Sequence, residues 1–300
     1  MSFVKKPVNP TMLKNPESIV HIQRTCAGLG DVIGVEPVVR YYIERGKTVN
    51  LLSYFHEVFC NYPSEQLICD FAFHYSLNQS GLAFFTHFRQ NFINLDIAPF
   101  KFSKMHLLDA YSKEANIFDL KPSTPRLFLS DEEKRPLFTH DYALLHIEKN
   151  HFHKSRNIFG VNWKIIIDYL ESKNIKLYQI SQTGKDLVAP WVKTSSLRDL
   201  MSLIYNSKLY IGRDSGPGHI ATVFNIPSLL FFGSVNPKWI YLNSENKVFL
   251  QSDCKFAHCY NENYNHPRLP HCRLVGARKN PPCCVVPVSD IINAIDSFIG

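Results

Sequence analysis

One short stretch constrains the fold of this chain more than any other. An apolar run at residues 209–211 leads into a polar, glycine-rich turn at 212–218, and a helix-compatible run and a second apolar run follow at 220–224 and 228–232. This order predicts a strand, a turn, a short helix and another strand. Open α/β sheets bind ligands at the carboxyl ends of their strands. The turn is therefore a predicted binding site.

The residues of this turn suit a phosphate group. Ser215 and Gly216 precede the predicted helix, and backbone N–H groups at a helix N-terminus bind anions. Asp214 is predicted to orient the loop or to accept from a sugar hydroxyl. His219 lies one helical turn further on and is predicted to donate to a diphosphate. The alternative is an ordinary strand-to-helix turn capped by Asp214 or Ser215.

Composition and length indicate a folded globular protein. The chain has 300 residues, of which 45% are hydrophobic and 20% are charged, and this length allows two domains. No window approaches the ~20 uninterrupted apolar residues of a membrane-spanning helix. Residues 1–17 lack the apolar core of a secretory signal. We therefore expect a cytoplasmic protein.

The net charge of +7 favours anionic partners such as nucleotides or phospholipid surfaces. Peripheral contact with the inner face of an anionic membrane is one such option. Clustered basic runs, RNP-like aromatic motifs and a helix-turn-helix signature are all missing from the sequence. These features argue against nucleic acid as a partner.

The predicted elements fall into two α/β halves. A strand at 18–24, a helix at 32–45 and a strand at 48–52 form a βαβ unit, which predicts a parallel sheet. The proline-containing segment 121–136 is the predicted connection between the two halves. The predicted domains are residues 1–135 and 136–300. The second half adds these elements in chain order: strand 142–147, helix 163–172, strand 175–180, helix 197–206 and the opening motif.

A second glycine turn follows the first predicted strand. Gly28 and Gly30 allow a sharp turn, and Asp31 lies at the predicted start of a helix. The third glycine and the ribose-binding acid of the dinucleotide fingerprint are missing. A helix N-terminus favours an ionised carboxylate, so Asp31 is a candidate general base facing the cleft between the domains. The alternative is that Asp31 is simply the N-cap residue of the helix, a role that stabilises a helix by about 1 kcal/mol.

Two further loops lie at the carboxyl ends of predicted strands. Lys154 and Arg156 are candidates for neutralising a diphosphate, Arg156 through its planar fork and Lys154 as a point charge. The alternative is a solvated basic loop. Thr183 and Gly184 belong to a turn predicted to face the nucleoside, although turns of this type are common.

Five of the eight cysteines lie in the last fifty residues. Four of them are candidate zinc ligands: Cys254, Cys259, Cys272 and Cys283. Their spacing contains no CxxC pair, so disulfides and free thiols remain alternatives.

Two runs of this sequence resemble a known family. Residues 24–52, with Gly28-x-Gly30-Asp31 and then a Glu-Pro-Val-Val run at 36–39, look like the N-terminal signature of the ADP-heptose:lipopolysaccharide heptosyltransferases, glycosyltransferase family 9. Residues 209–233 resemble the family's C-terminal signature, Asp-Ser-Gly-x-x-His-x-Ala, then Pro, then Phe-Gly. The two motifs occur in the family's order.

The resemblance implies the GT-B architecture, in which two Rossmann-like domains with parallel sheets face each other across a cleft. It implies an inverting glycosyltransferase of lipopolysaccharide biosynthesis that requires no metal. The donor would be a nucleotide sugar, with an ADP-sugar favoured, and the acceptor a hydroxyl of a glycan or glycolipid. The alternatives are a transferase of the same fold with a non-heptose donor and a protein or capsule acceptor, and an inactive nucleotide-binding scaffold.

The resemblance also assigns roles to residues. Asp31 matches the base that deprotonates the acceptor. Asp214, Ser215, Gly216 and His219 match the donor-diphosphate loop, and Arg156 or Lys154 matches the basic residue that neutralises the leaving group. The sequence departs from the family at 157–158, where Asn-Ile replaces Trp-Pro, and at 217–218, which is Pro-Gly.

Overall fold

The structure is a computed structural model. It describes residues 18–25, 28–70, 91–102, 104–149, 153–242, 246–256, 258–262, 272–276 and 279–299. The described residues form two parallel β-sheets, one in each half of the chain.

The N-terminal sheet contains four described strands in the order β3-β2-β1-β4, and every described pairing is parallel. Its strands are β1 (Ile19–Gln23), β2 (Thr48–Leu52), β3 (Leu67–Asp70) and β4 (Phe92–Asn94). The helices of this half are α1 (Leu29–Ile33), α2 (Glu36–Ile43), α3 (Ala98–Lys101) and α4 (Leu107–Glu114). The predicted βαβ unit and its parallel pairing are therefore confirmed.

The single helix predicted at 32–45 is wrong, because two helices occupy this region. The chain turns at Gly34 and Val35, and α2 then begins with Pro37 in its first turn. Proline lacks an N–H, and the first turn of a helix is where that N–H has no partner in any case. Pro37 therefore marks the start of a new helix.

The C-terminal sheet has five described strands in the order β6-β5-β7-β8-β9, and their pairings are again all parallel. They are β5 (Tyr142–His146), β6 (Lys176–Gln179), β7 (Leu209–Arg213), β8 (Ser228–Phe231) and β9 (Lys247–Leu250). The helices of this half are α5 (Trp163–Ser172), α6 (Leu197–Tyr205), α7 (Gly216–Val223), α8 (Pro237–Ile240), α9 (Cys259–Glu262) and α10 (Val288–Ile299). The helix predicted at 220–224 begins earlier than expected, at Gly216, because Pro217 again fits a first helical turn.

The buried apolar residues form two clusters. One cluster covers one face of the C-terminal sheet beneath α5 and α10. The other contains residues of both halves, including Ile33 and Tyr111 from the first and Ile220 and Tyr241 from the second. The two halves therefore share apolar packing. Within the described residues, no helix is both long enough and apolar enough to cross a membrane.

Arg198 on α6 ties the two halves together. Its guanidinium binds the Glu133 carboxylate through Nε and Nη2, at 2.7 and 2.6 Å. It also donates to the Phe128 carbonyl at 2.7 Å and to the Glu57 carbonyl at 3.3 Å. Arg198 thus links the first half, through the Glu57 carbonyl, to Phe128 and Glu133 in the segment predicted to connect the halves.

Candidate active site

Helix α1 of the N-terminal half packs directly on helix α7 of the C-terminal half. A Cβ placed on Gly30 would lie 2.2 Å from Cδ2 of His219, and one placed on Gly216 would lie 2.6 Å from Cβ of Leu29. No side chain larger than hydrogen fits at either glycine without a shift of its neighbour. The fold therefore brings the two glycine turns of the sequence into contact.

Asp31 lies in the first turn of α1, at this contact. Its Oδ2 accepts from the backbone N–H of Gly28, the N-cap residue, at 3.0 Å. Its Oδ1 lies 3.3 Å from Nη2 of Arg24, and 32% of the side chain remains exposed. The N-cap position predicted for Asp31 is therefore wrong, because Gly28 holds that position and Asp31, three residues further on, accepts from its N–H. The carboxylate is also open to solvent, as a general base must be.

A buried network fixes the cation beside Asp31. Arg24 is 2% exposed, lies 3.1 Å from the Asp96 carboxylate and donates from Nε to the Tyr111 hydroxyl at 2.8 Å. That hydroxyl in turn donates to the Asp31 carbonyl at 3.1 Å. Burial by itself would lower the pKa of Arg24, but Tyr111 and the two carboxylates raise it above its ordinary value. The sequence analysis did not predict that Arg24 would lie beside Asp31. An arginine directly after an apolar strand was the feature that could have indicated it.

On the opposite side of the contact, Arg156 binds Asp214. Its Nη2 donates to the Asp214 carboxylate at 2.6 Å and to the carbonyl of the same residue at 3.2 Å. The guanidinium also lies 5.6 Å from the Tyr260 ring centre, and its buried Nε has no hydrogen-bond partner among the described residues. Burial opposes the charge, yet Asp214 raises the pKa of Arg156. Lys154 lies elsewhere, with its amine 5.7 Å from the ring centre of Phe159.

Ser215 is the N-cap residue of α7, but its hydroxyl caps no backbone N–H of the helix. Its Oγ lies 2.9 Å from Nδ1 of His146 and 3.0 Å from the carbonyl oxygen of Arg213. Burial, with the charge of Arg213, lowers the pKa of His146 to about 3. Sequence reasoning missed His146. The signal available was a polar residue at the carboxyl end of a fully buried apolar strand.

The His219 ring stacks on Tyr241, with ring centres 4.3 Å apart and planes 19° apart. Burial lowers the pKa of His219, while the carboxylates of Asp214 and Asp31 act in the opposite direction. A neutral imidazole still carries one N–H and can donate to a phosphate oxygen.

The loop predicted to face a nucleoside is held by a carboxylate. Thr183 donates its backbone N–H and its hydroxyl to the Glu148 carboxylate, at 3.1 and 2.6 Å. Gly184 has a φ of +68° and lies against Trp191, whose ring a Cβ would approach to 2.9 Å. A nucleoside role for Thr183 and Gly184 stays a prediction.

The late cysteines approach one another. Burial raises the pKa of Cys259, and the neighbouring thiols of Cys283, Cys272 and Cys254 contribute to the shift. Within the residues that the structure covers, no three His, Cys, Asp or Glu side chains form a group that could hold a metal ion. The structure therefore places the four candidate ligands in one region, and the described part of the chain forms no metal site there.

The chain is similar to known proteins in its fold and in part of its sequence. The family model "Glycosyltransferase family 9 (heptosyltransferase)" matches residues 177–267. TibC, an iron-containing dodecameric glycosyltransferase from enterotoxigenic E. coli H10407, superposes with a TM-score of 0.71 at 15% identity, over 93% of this chain and 75% of that one. No curated protein matches by sequence.

Two further solved structures share the fold. The family 9 glycosyl transferase from Veillonella parvula DSM 2008 has a TM-score of 0.65 at 13% identity, over 94% of this chain and 97% of that one. The ADP-heptose lps heptosyltransferase II of E. coli has a TM-score of 0.57 at 10% identity, over 94% and 98%.

The two parallel sheets and these similarities show that the chain has the GT-B fold of these solved structures. Residues 177–267 match the model of glycosyltransferase family 9, the heptosyltransferase family, and this match confirms the resemblance of residues 209–233 to that family.

Proposed function

We propose that the chain is an inverting glycosyltransferase that moves a sugar, heptose in the first instance, from a nucleoside-diphosphate donor to an acceptor hydroxyl. The observation that carries this proposal is the contact of Gly30 with His219, because it brings the Asp31 carboxylate to the N-terminal end of α7. ADP-heptose is the favoured donor. A structure of TibC contains ADP-D-beta-D-heptose, and E. coli WaaC has been solved with ADP-2-deoxy-2-fluoro heptose.

On the donor side, the first turn of α7 receives the diphosphate. The first N–H groups of a helix have no partner within it, and Gly216 and Gly218 present two of them, whereas Pro217 has none. Arg156 lies beside this turn, and its Nε–H has no partner in the part of the chain that the structure describes. The cation offsets the charge that develops on the leaving diphosphate. His219 supplies a further hydrogen-bond donor to the diphosphate.

On the acceptor side, Asp31 accepts the proton of the acceptor hydroxyl. The acceptor oxygen then attacks the anomeric carbon from the face opposite the diphosphate. A new carbon–oxygen bond forms while the bond to the diphosphate breaks, and its electron pair leaves with the nucleotide. The configuration at the anomeric carbon is thereby inverted. Arg24 keeps the Asp31 carboxylate in place during this step.

The proposed steps use the side chains named above and are not routed through a metal. TibC is described as iron-containing, and Cys254, Cys259, Cys272 and Cys283 are the candidate metal ligands of this chain. Metal analysis of protein purified without chelators, combined with thiol titration, separates the alternatives. About one zinc or iron per chain would assign a structural metal, whereas metal-free protein would carry free thiols or disulfides.

We further propose a glycan or glycolipid acceptor, with a protein or capsule acceptor as the alternative. The charge of +7 favours docking at an anionic membrane surface. Sedimentation with anionic and with neutral vesicles tests this. Equal binding to both would exclude an electrostatic contact.

Calorimetric titration with ADP, UDP, GDP and ADP-heptose tests the donor assignment. We expect selective binding of the adenine nucleotides, weakened by Asp214→Ala and by His219→Ala. His140→Phe is a matched control, because His140 pairs with a hydroxyl in the same half, that of Tyr178 at 3.1 Å. Failure of every nucleotide to bind would contradict the proposed function.

A further inference from the structure

Two serines of the C-terminal half occupy the N-cap position of a helix and behave differently. The Ser196 hydroxyl accepts from the backbone N–H of Asp199 at 3.0 Å and so caps α6. This is the usual role of an N-cap serine. Ser215 has the same extended backbone conformation, with φ −169° and ψ 168°, but its hydroxyl caps nothing. Some other contact must hold the Ser215 side chain away from its own helix.

That contact is with the end of strand β5. His146 is paired in register with Gly212 of β7, which places the imidazole beside the turn that follows β7. Its Nδ1 lies 2.9 Å from Oγ of Ser215, and the same Oγ lies 3.0 Å from the carbonyl oxygen of Arg213. These two contacts engage the serine hydroxyl on the side away from the helix.

We infer that His146 is a positioning residue that holds the Ser215 hydroxyl away from the first turn of α7, leaving the N–H groups of Gly216 and Gly218 open to the donor diphosphate. This inference rests on the proposed function. Without His146, the contact with the Arg213 carbonyl remains, but the Ser215 hydroxyl loses the other of its two contacts and can rotate to accept from the N–H of Gly218, as Ser196 accepts in α6. The hydroxyl would then compete with the phosphate for the same N–H group.

The state of the imidazole agrees with this role. His146 is 8% exposed, and burial with the charge of Arg213 lowers its pKa to about 3. The ring is therefore neutral throughout the pH range of an ordinary assay. If His146 acts through Ser215, replacing His146 should weaken ADP binding equally at pH 6 and at pH 8. If a charged His146 imidazole contacted the phosphate directly, the loss of ADP affinity should be larger at pH 6.

Calorimetric titration with ADP tests the inference in five proteins: wild type, His146→Phe, His146→Asn, Ser215→Ala and the double variant. We expect His146→Phe to weaken ADP binding about tenfold, the size of one lost hydrogen bond of the stronger kind. Asparagine places an amide near the position of Nδ1, so His146→Asn should stay within about threefold of wild type. The double variant should bind ADP as Ser215→Ala does, because His146 has no effect once the hydroxyl is gone.

His140→Phe is the control for loss of a histidine–hydroxyl pair, and its ADP affinity should match wild type. Thermal melts establish that each variant is folded. If His146→Phe does not fold, His146→Asn and Ser215→Ala retain the comparison. The inference would be overturned, while the proposed function stands, if His146→Phe bound ADP as tightly as wild type. It would also be overturned if replacing His146 weakened ADP binding equally with and without the Ser215 hydroxyl. Absence of ADP binding to wild type would overturn both.

Discussion

Gly30 and His219 come from opposite halves of the chain and lie in van der Waals contact. A Cβ on Gly30 would be 2.2 Å from Cδ2 and 2.4 Å from Nε2 of the imidazole. The His219 ring cannot easily move aside, because its other face stacks on Tyr241. The geometry of the site therefore depends on the absence of a side chain at residue 30.

Gly30→Ala should therefore separate α1 from α7. We expect kcat/KM to fall about a hundredfold, because misplacing a catalytic group by about 1 Å has an effect of this size. Gly34→Ala is the matched control. The three described atoms nearest to its Cβ all belong to the N-terminal half, the first being the Asp31 carbonyl oxygen at 3.3 Å. Equal activity in the two variants would contradict the importance of the contact.

Asp31→Asn should abolish the base while keeping the acceptor atom for the N–H of Gly28. We expect the transfer rate to fall by about 10²–10⁴. ADP affinity should stay within about threefold of wild type, since Asp31 is not placed on the diphosphate. The measurement is a single-turnover transfer assay beside calorimetry. A variant that transfers at the wild-type rate would remove Asp31 from the mechanism.

Replacing Arg156 and Lys154 separates the two basic candidates. Arg156 contacts Asp214 at the donor turn, whereas Lys154 lies against Phe159. Arg156→Ala should weaken ADP binding by about 1.5–3 kcal/mol, the value of a hydrogen bond to a charged group. Lys154→Ala should change it by less than twofold. The reverse ranking in calorimetry would assign the diphosphate to Lys154.

The buried histidine makes the folded protein sensitive to acid. The pKa of His146 is about 3 when folded and near 6.5 when unfolded. Between these values the unfolded chain binds more protons, so the free energy of unfolding falls as the pH decreases from 6.5 towards 3. The full contribution of the neutral His146 to the free energy of unfolding is present above pH 6.5. Below pH 6.5, about 1.4 kcal/mol of it is lost for each pH unit.

Urea unfolding at pH 7.5 and pH 5.5, in wild type and in His146→Asn, measures this effect. Wild type should lose about 1 kcal/mol more stability than the variant between the two pH values. Burial lowers the pKa of other histidines as well, among them His21, His106 and His219. Only the difference between the two proteins therefore reports on His146. Parallel pH dependences would show that His146 does not titrate on unfolding.

Much of the fold was predictable because local signals were strong. The apolar strand at Thr48–Leu52 and the amphipathic helix at Trp163–Ser172 have the predicted bounds. The helix starts at Glu36 and Gly216 were both missed at a proline, but in opposite ways. The predicted helix at 32–45 ran through Pro37 without a break, whereas the helix predicted at 220 began only after Pro217. In both cases the proline lies in the first turn of the helix.

The candidate site was predictable where its residues are close in sequence. Asp31, Asp214 and His219 lie in dense glycine turns that mark them. The Arg24–Asp96 pair spans 72 residues and the His146–Ser215 pair spans 69. Contacts of this range depend on sheet order and register, which a single sequence does not specify. The domain boundary at residue 135 stays a prediction.

The packing of α1 against α7 bears on how this chain can be recombined with proteins of the same fold. A chimera joined near residue 136 would set a foreign N-terminal half against helix α7. Leu29 would then be exchanged without its partner Gly216, and Gly30 without His219. The two halves are therefore not interchangeable units, and a working hybrid must take both sides of this helix contact from one parent.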